Sequence, residues 1–185
     1  MIVKLSDVAS IKFGHYAKPS NSGTILYLQV KHFNDLGQLI NKSDSFLAEG
    51  DIKKSNLLQQ GDILFAAKGF RFFATVFNQA MGDAVASSIF YILKVNLTLI
   101  LPDYLVAVIN SPENIIHFQS SGAGSSVPSV RKKELEDFEF NLIPLSEQKK
   151  VVEIYNLYLK DIEIAENIIK QKQSLFQNLI AKLIK

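Results

Sequence analysis

The chain contains no cysteine and no tryptophan, and neither sign of charge is in clear excess. Without cysteine there are no disulfides, thiolate metal sites, iron–sulfur clusters or cysteine nucleophiles, and the composition suits a cytoplasmic protein. The longest apolar run, Ile89 to Leu101, is broken by Lys94 and Asn96. It falls short of the ~20 apolar residues that a membrane helix needs. The opening residues, MIVKLSDVAS, lack the apolar stretch of a secretory leader. There are 20 Lys+Arg and 18 Asp+Glu, a net charge of +2. Residues 1–145 carry 13 basic and 13 acidic side chains, and residues 146–185 carry 7 and 5. A general polyelectrolyte binder needs a cation for each phosphate it neutralises, so nucleic-acid binding here would have to rest on a local patch.

Catalytic motifs are equally scarce. His15, His32 and His117 are far apart and fit no metal-ligand spacing. There is no Walker loop and no strand-associated GxGxxG, and Gly122-Ala-Gly124 follows a polar stretch and reads as a hinge. Asp44 with Asp51-Ile52-Lys53 matches a nuclease pattern only at the level of chance. The Asn-Pro-Pro-aromatic loop of amino-methyltransferases is missing. The chain reads as a protein that binds and does not itself catalyse, with no cofactor and no metal of its own.

What is present is a globular composition, 48% apolar with 13 Phe and 6 Tyr. Residues 1–145 are rich in β-branched and aromatic residues punctuated by turn signals. Strands are expected at Leu26–Phe33, Asp62–Ala67, Phe72–Phe77, Val85–Val95 and Phe138–Ile143, with turns at Asn34–Gly37 and Lys68–Arg71. Pro102 and Pro112, each followed by an acid, open two short helices. The class is α/β (α+β).

From Glu147 to Lys185 there is no Gly and no Pro, and Ser146 is a suitable N-cap. A continuous helix there would be roughly 58 Å long, more than the preceding domain could cover. Its apolar residues follow a 4-3 alternation: Val151, Tyr155, Tyr158, Ile162, Ala165, Ile169, Lys172 as the exception, Phe176, Leu179 and Leu183. That is a coiled-coil seam, with further apolar residues on both flanks. Such a face is not stable alone in water: it either folds back onto its own domain as a long core helix or, as its length favours, projects to meet a second copy or another protein.

Cations at turns are the remaining polar signal. Lys68 and Arg71 flank Gly69-Phe70, where Arg can donate bidentately to guanine and either side chain can hold phosphate. An ordinary hairpin tip with solvated charges and a core aromatic is the simpler reading of the same residues. Arg131 and Lys132 follow a Gly/Ser-rich stretch and could clamp phosphates, although nearby acids fit a solvated helix face equally well. Lys18, Lys31 and His32 are weaker candidates.

In this order, the pieces resemble the specificity subunits of type I restriction–modification enzymes. The opening Leu5-Ser-Asp-Val-Ala-Ser-Ile-Lys-Phe-Gly14 is similar to the start of a target recognition domain in that family. So are Gly61-Asp-Ile-Leu-Phe65 with Lys68-Gly69, Ala86-Ser-Ser-Ile-Phe90, Pro102-Asp-Tyr-Leu105 and Asn110-Ser-Pro112. The junction Ile143-Pro-Leu-Ser-Glu-Gln148 resembles the beginning of the family's long spacer helix. The resemblance implies a mixed-sheet target recognition domain, residues 1–145, and a long helix, residues 146–185, for dimerisation and methyltransferase docking. It implies double-stranded DNA as ligand, read by Lys68, Arg71, Arg131 and Lys132, then Lys31, His32 and Lys18. It further implies adenine methyltransferase and restriction/translocase subunits as partners, which alone would hold S-adenosylmethionine, ATP and Mg. A usual family member has two recognition domains and two helices; this chain has one of each. It is then either a natural half-subunit or an excised half, and a natural half would homodimerise to meet a bipartite, palindromic target. The alternative is a coiled-coil adaptor whose head binds protein and not DNA.

Overall fold

The computed structural model describes residues 1–40, 44–48, 52–121 and 127–184. In chain order the first elements are β1 (Ile2–Lys4), α1 (Leu5–Val8), β2 (Ala9–Phe13), β3 (Ile25–Leu28), β4 (Phe46–Leu47), β5 (Ile63–Ala66) and β6 (Ala74–Val76). They are followed by β7 (Ala84–Ala86), β8 (Phe90–Val95), α2 (Pro102–Ile109), α3 (Pro112–Ser121), α4 (Lys132–Glu136), β9 (Glu139–Asn141) and α5 (Leu145–Leu183).

β5 and the first half of β8 are apolar on both faces, the pattern of strands covered on both sides. Ile63 and Phe65 of β5 join Tyr91 and Leu93 of β8 in one core, while Leu64, Ala66, Phe90 and Ile92 enter a second. The strands form a four-stranded antiparallel sheet in the order β2-β8-β5-β6. The first core is closed by residues of α1, α2, α3 and α4 and by the antiparallel β1-β9 pair. The second lies against a three-stranded sheet in which β3 pairs antiparallel with β4 and parallel with β7. The fold is thus mixed α/β, with both kinds of strand pairing.

Two expected strands are shorter than their apolar runs. Val85–Val95 divides at Ser87–Ile89, because Ala84–Ala86 pairs with β3 whereas Phe90 onward pairs with β5 in another sheet. Leu26–Phe33 stops at Leu28 and turns through a single 3₁₀ turn, Val30–His32. Both proline-led helices form where their start signals lie. Gly122–Ser126, which includes the expected hinge, and Asp51 lie outside the described residues.

α5 is one uninterrupted helix of 39 residues, with Pro144 rather than Ser146 at its N-cap. Its root is locked to the head by Gln148, a fully buried amide with every partner placed. The Gln148 side-chain oxygen accepts from the Leu101 N–H at 2.8 Å, and its Nε2 donates to Leu99 O at 2.9 Å and Ile143 O at 2.8 Å. One and two turns on, Val151, Val152 and Tyr155 pack on the first core. The Asn110 Nδ2 donates to the Tyr155 hydroxyl at 2.9 Å and to Ala74 O at 2.9 Å, while its Oδ1 accepts from Ala74 N–H at 2.7 Å. Helix, α2 C-terminus and edge strand β6 are so tied at one point. From Glu163 on every described α5 residue is exposed. Among the described residues no helix is long and apolar enough to cross a membrane.

Candidate nucleic-acid interface

Antiparallel pairing places the C-terminal ends of β2 and β5 beside the N-terminal ends of β8 and β6: Phe13 faces Tyr91, Ala66 faces Phe90 and Phe65 faces Ala74. The chain leaving β3 joins the same end, since Ser87 N–H donates to Leu28 O at 2.9 Å. The segments 14–18, 29–33, 67–73 and 128–132 therefore converge. The seven nominated cationic or imidazole side chains, on four segments distant in sequence, all belong to them.

One group faces outward. Lys68 forms a backbone bridge with Ser129, Gly69 N–H donates to Pro128 O at 2.9 Å, and Val130 N–H donates to Ala67 O at 2.9 Å. This stitching sets Lys68 next to Arg131 and Lys132. Lys68 and Arg131 are exposed, and neither has an ion-pair partner among the described residues. The Arg131 backbone N–H is held by the Glu134 carboxylate at 2.7 Å, which starts α4 and leaves the side chain to solvent. The Lys132 ammonium lies 5.9 Å from the centre of the Phe13 ring and 3.5 Å from Glu136. Phe13 meets Tyr91 edge-on at 5.3 Å, and the Tyr91 hydroxyl donates to Val130 O at 3.1 Å. Burial pushes that hydroxyl above its ordinary pKa, so it stays a donor.

The second group is paired within the head, with Lys31 exposed and His32 buried. His32 is only 2% exposed. Its Nδ1 accepts from the Gln29 N–H at 3.0 Å, so the ring proton sits on Nε2, which donates to Asp44 at 3.1 Å. Lys31 reaches the same carboxylate at 2.7 Å and the Ser45 hydroxyl donates to it at 2.9 Å. Lys31, His32 and Ser45 together hold the Asp44 carboxyl well below the usual carboxylate range. Arg71 Nη1 donates to Phe33 O at 3.0 Å and Asp35 at 3.2 Å, and Nη2 donates to Val30 O at 3.0 Å. The guanidinium thus clasps the 3₁₀ turn that carries Lys31 and His32. Lys18 is exposed on the segment that leaves this end to run beside β4.

Sequence reasoning did not find the aromatic component. Phe13 is 62% exposed, Tyr16 84% and Phe70 78%. These are the exposed aromatics of the head among its described residues, and all three stand at this one end. The only sequence signal was the glycine turn before Phe70. Cations interleaved with exposed rings offer the two attractions a nucleic acid supplies, to its phosphates and to its bases. Among the described residues no group of three or more His, Asp and Glu could hold a metal ion.

On α5 the nominated seam has two roles. Val151 and Tyr155 are taken up by the chain's own head, whereas Tyr158, Ala165, Ile169, Phe176, Leu179 and Leu183 are exposed and Ile162 is half-buried. Beside the root, a hollow of about 430 Å³ opens between Tyr155, Leu159, Val106 and the 33–39 hairpin.

Comparison with known proteins agrees with this architecture. Three solved structures share the fold. A chain in a structure on complex assembly and conformational transition of the type I R-M system has a TM-score of 0.68 at 16% identity. The match covers 94% of the present chain and 45% of that one. The HsdS subunit from Thermoanaerobacter tengcongensis gives 0.63 at 17%, covering 89% and 38%. The type I restriction-modification S subunit from M. genitalium gives 0.61 at 12%, covering 88% and 40%. The chain spans less than half the length of each. No curated protein matches it. The family model described as type I restriction modification DNA specificity domain matches residues 1–172, the head and most of α5, and the chain belongs to that family.

Proposed function

We propose that the protein is a half-size, non-catalytic specificity subunit. Its head reads one half of a bipartite double-stranded DNA target, and two copies joined through α5 present two identical readers related by a two-fold axis. Methyltransferase subunits bring S-adenosylmethionine and modify adenine, and restriction/translocase subunits bring ATP and Mg. The observation that carries the reading is the shared end of the head, where Lys68, Arg131 and Lys132 stand among Phe13, Tyr16 and Phe70. The zero charge of residues 1–145 requires a local patch, and several cations elsewhere in the head, Lys4, Lys31, Arg71 and Lys94, meet local acids. Membership of the specificity-domain family supports the DNA-reading role. The exposed distal half of α5 supports pairing, with the seam beginning at Tyr158, since Val151 and Tyr155 are already engaged.

Two measurements test this. Titration of the full chain with a random-sequence duplex between 50 and 200 mM salt should give log K falling with log salt at a slope of about −3 per head, from three phosphate-neutralising cations. An adaptor that binds only protein would show no duplex binding at all. For the assembly, the double variant Ile162→Glu with Ile169→Glu should convert a dimer to a folded monomer in light scattering. A dimer that persists would eliminate the seam.

A further inference from the structure

Phe70 stands where burial is not available to it. Its successors Phe72 and Phe73 are buried, one in each core of the head, and Phe70 itself is 78% exposed. Gly69 before it has φ +105, a backbone that disfavours any side chain, although nothing lies within 4 Å of where a Cβ would be. The turn thus needs glycine for its conformation and not for lack of room. The loop is pinned on both sides of the ring. On one side are the Lys68–Ser129 bridge and the Gly69–Pro128 hydrogen bond. On the other, the Arg71 guanidinium is fixed to Val30 O, Phe33 O and Asp35. Phe70 makes no ring or cation contact among the described residues, unlike Phe13, which rests on Tyr91 and under Lys132. A turn that served only to connect β5 and β6 would be better solvated with a polar residue at this position. Holding a phenyl ring in water on a loop ordered in advance is useful only if a ligand covers it, because the ordering is then not charged to the binding step.

We infer that Phe70 is a specificity-determining residue that makes the apolar contact to the bases, while Lys68 beside it takes the phosphate backbone. This rests on the DNA-reading function proposed above and assigns the base contact to one side chain. A phenyl ring can meet a thymine methyl group in the major groove or wedge against an exposed base face. Both depend on base identity and step, and neither releases counterions. Arg71, the residue between strands with the richer hydrogen-bonding chemistry, acts here by positioning the loop.

The test is selection from a duplex pool with a randomised 30-base-pair centre, using the full-length wild type, Phe70→Ala and Phe70→Tyr. Wild type should enrich a defined sequence. Phe70→Ala should lose the preference at one or two adjacent positions, bind the enriched duplex about tenfold more weakly and keep the same salt slope. Phe70→Tyr, which retains the ring, should recover the preference. If Phe70→Ala enriches the same sequence as wild type with equal affinity, the assignment of Phe70 is overturned while DNA reading stands. If wild type binds no duplex, both fall. A loss in Phe70→Ala that is accompanied by a shallower salt slope would make the residue a support for the cations, and would also overturn the assignment.

Discussion

Two sets of cations share one end of the head and differ in what faces them. Lys31 and His32 converge on Asp44, and Arg71 meets Asp35 and two backbone carbonyls, whereas Lys68 and Arg131 have no carboxylate partner among the described residues. Lysine and arginine occur in both sets. What separates them is the long-range pairing of segments: Arg71 finds Asp35 36 positions away, and Lys68 finds the neutral Ser129. The first set shapes a loop and the second is left for a ligand. Residue type therefore nominates a binding residue, and the surrounding fold decides whether its charge is available.

The sharpest way to break this comparison is to remove one arginine from each set. Arg71→Ala leaves the Val30 and Phe33 carbonyls without their charged donor. It should cost about 2 kcal/mol of stability, read as a lower urea midpoint with unchanged m. Arg71→Lys should restore little, because a point charge cannot span three acceptors held at fixed angles. Arg131→Ala should change the midpoint by less than about 0.5 kcal/mol, yet make the salt slope of duplex binding shallower by about 1. If instead Arg71→Ala left stability intact and removed a phosphate contact, the two sets would have to exchange roles.

The same contrast explains how much could be read from the sequence. The long helix was legible because its period is local: nothing beyond residues 147–185 is needed to see the seam. The two short helices were legible from Pro102 and Pro112 for the same reason. The motifs carrying the family resemblance turn out to be joints. Asp62 accepts from the Gln59 N–H and pairs with Lys94, Asn110 ties β6 to Tyr155, and Gln148 fixes the root of α5. Those residues point to the fold, which is why the resemblance identified the architecture while leaving the site open. The division of Val85–Val95 was not legible, since an apolar run does not state which sheet each half joins. Nor was the fate of His32, Lys31 and Arg71, because their partners are chosen by packing. A buried glutamine inside a helix, such as Gln148, looks in sequence like any solvated one until Leu99, Leu101 and Ile143 are placed around it.

Asp44 offers the smaller and finer test. Lys31 first, then His32 and Ser45, hold its carboxyl below the ordinary range. A carboxyl with a depressed folded pKa takes its proton more readily in the unfolded chain. It therefore stabilises the fold above the unfolded value, about 4, and that contribution fades as pH drops from there through the folded pKa. The urea midpoints of wild type and Asp44→Asn should accordingly differ by a constant amount from pH 7 to about pH 5, and the difference should begin to shrink only below about pH 4. Midpoints that fell in parallel over the whole range would mean that the carboxylate is not linked to folding. The same variant probes the interface, because it uncouples Lys31 from its counter-charge without moving it from the loop end. If pairing with Asp44 is what keeps Lys31 from a ligand, Asp44→Asn should steepen the duplex salt slope by less than about 1. An unchanged slope would show that position on the loop, and not the neighbouring acid, separates the two sets.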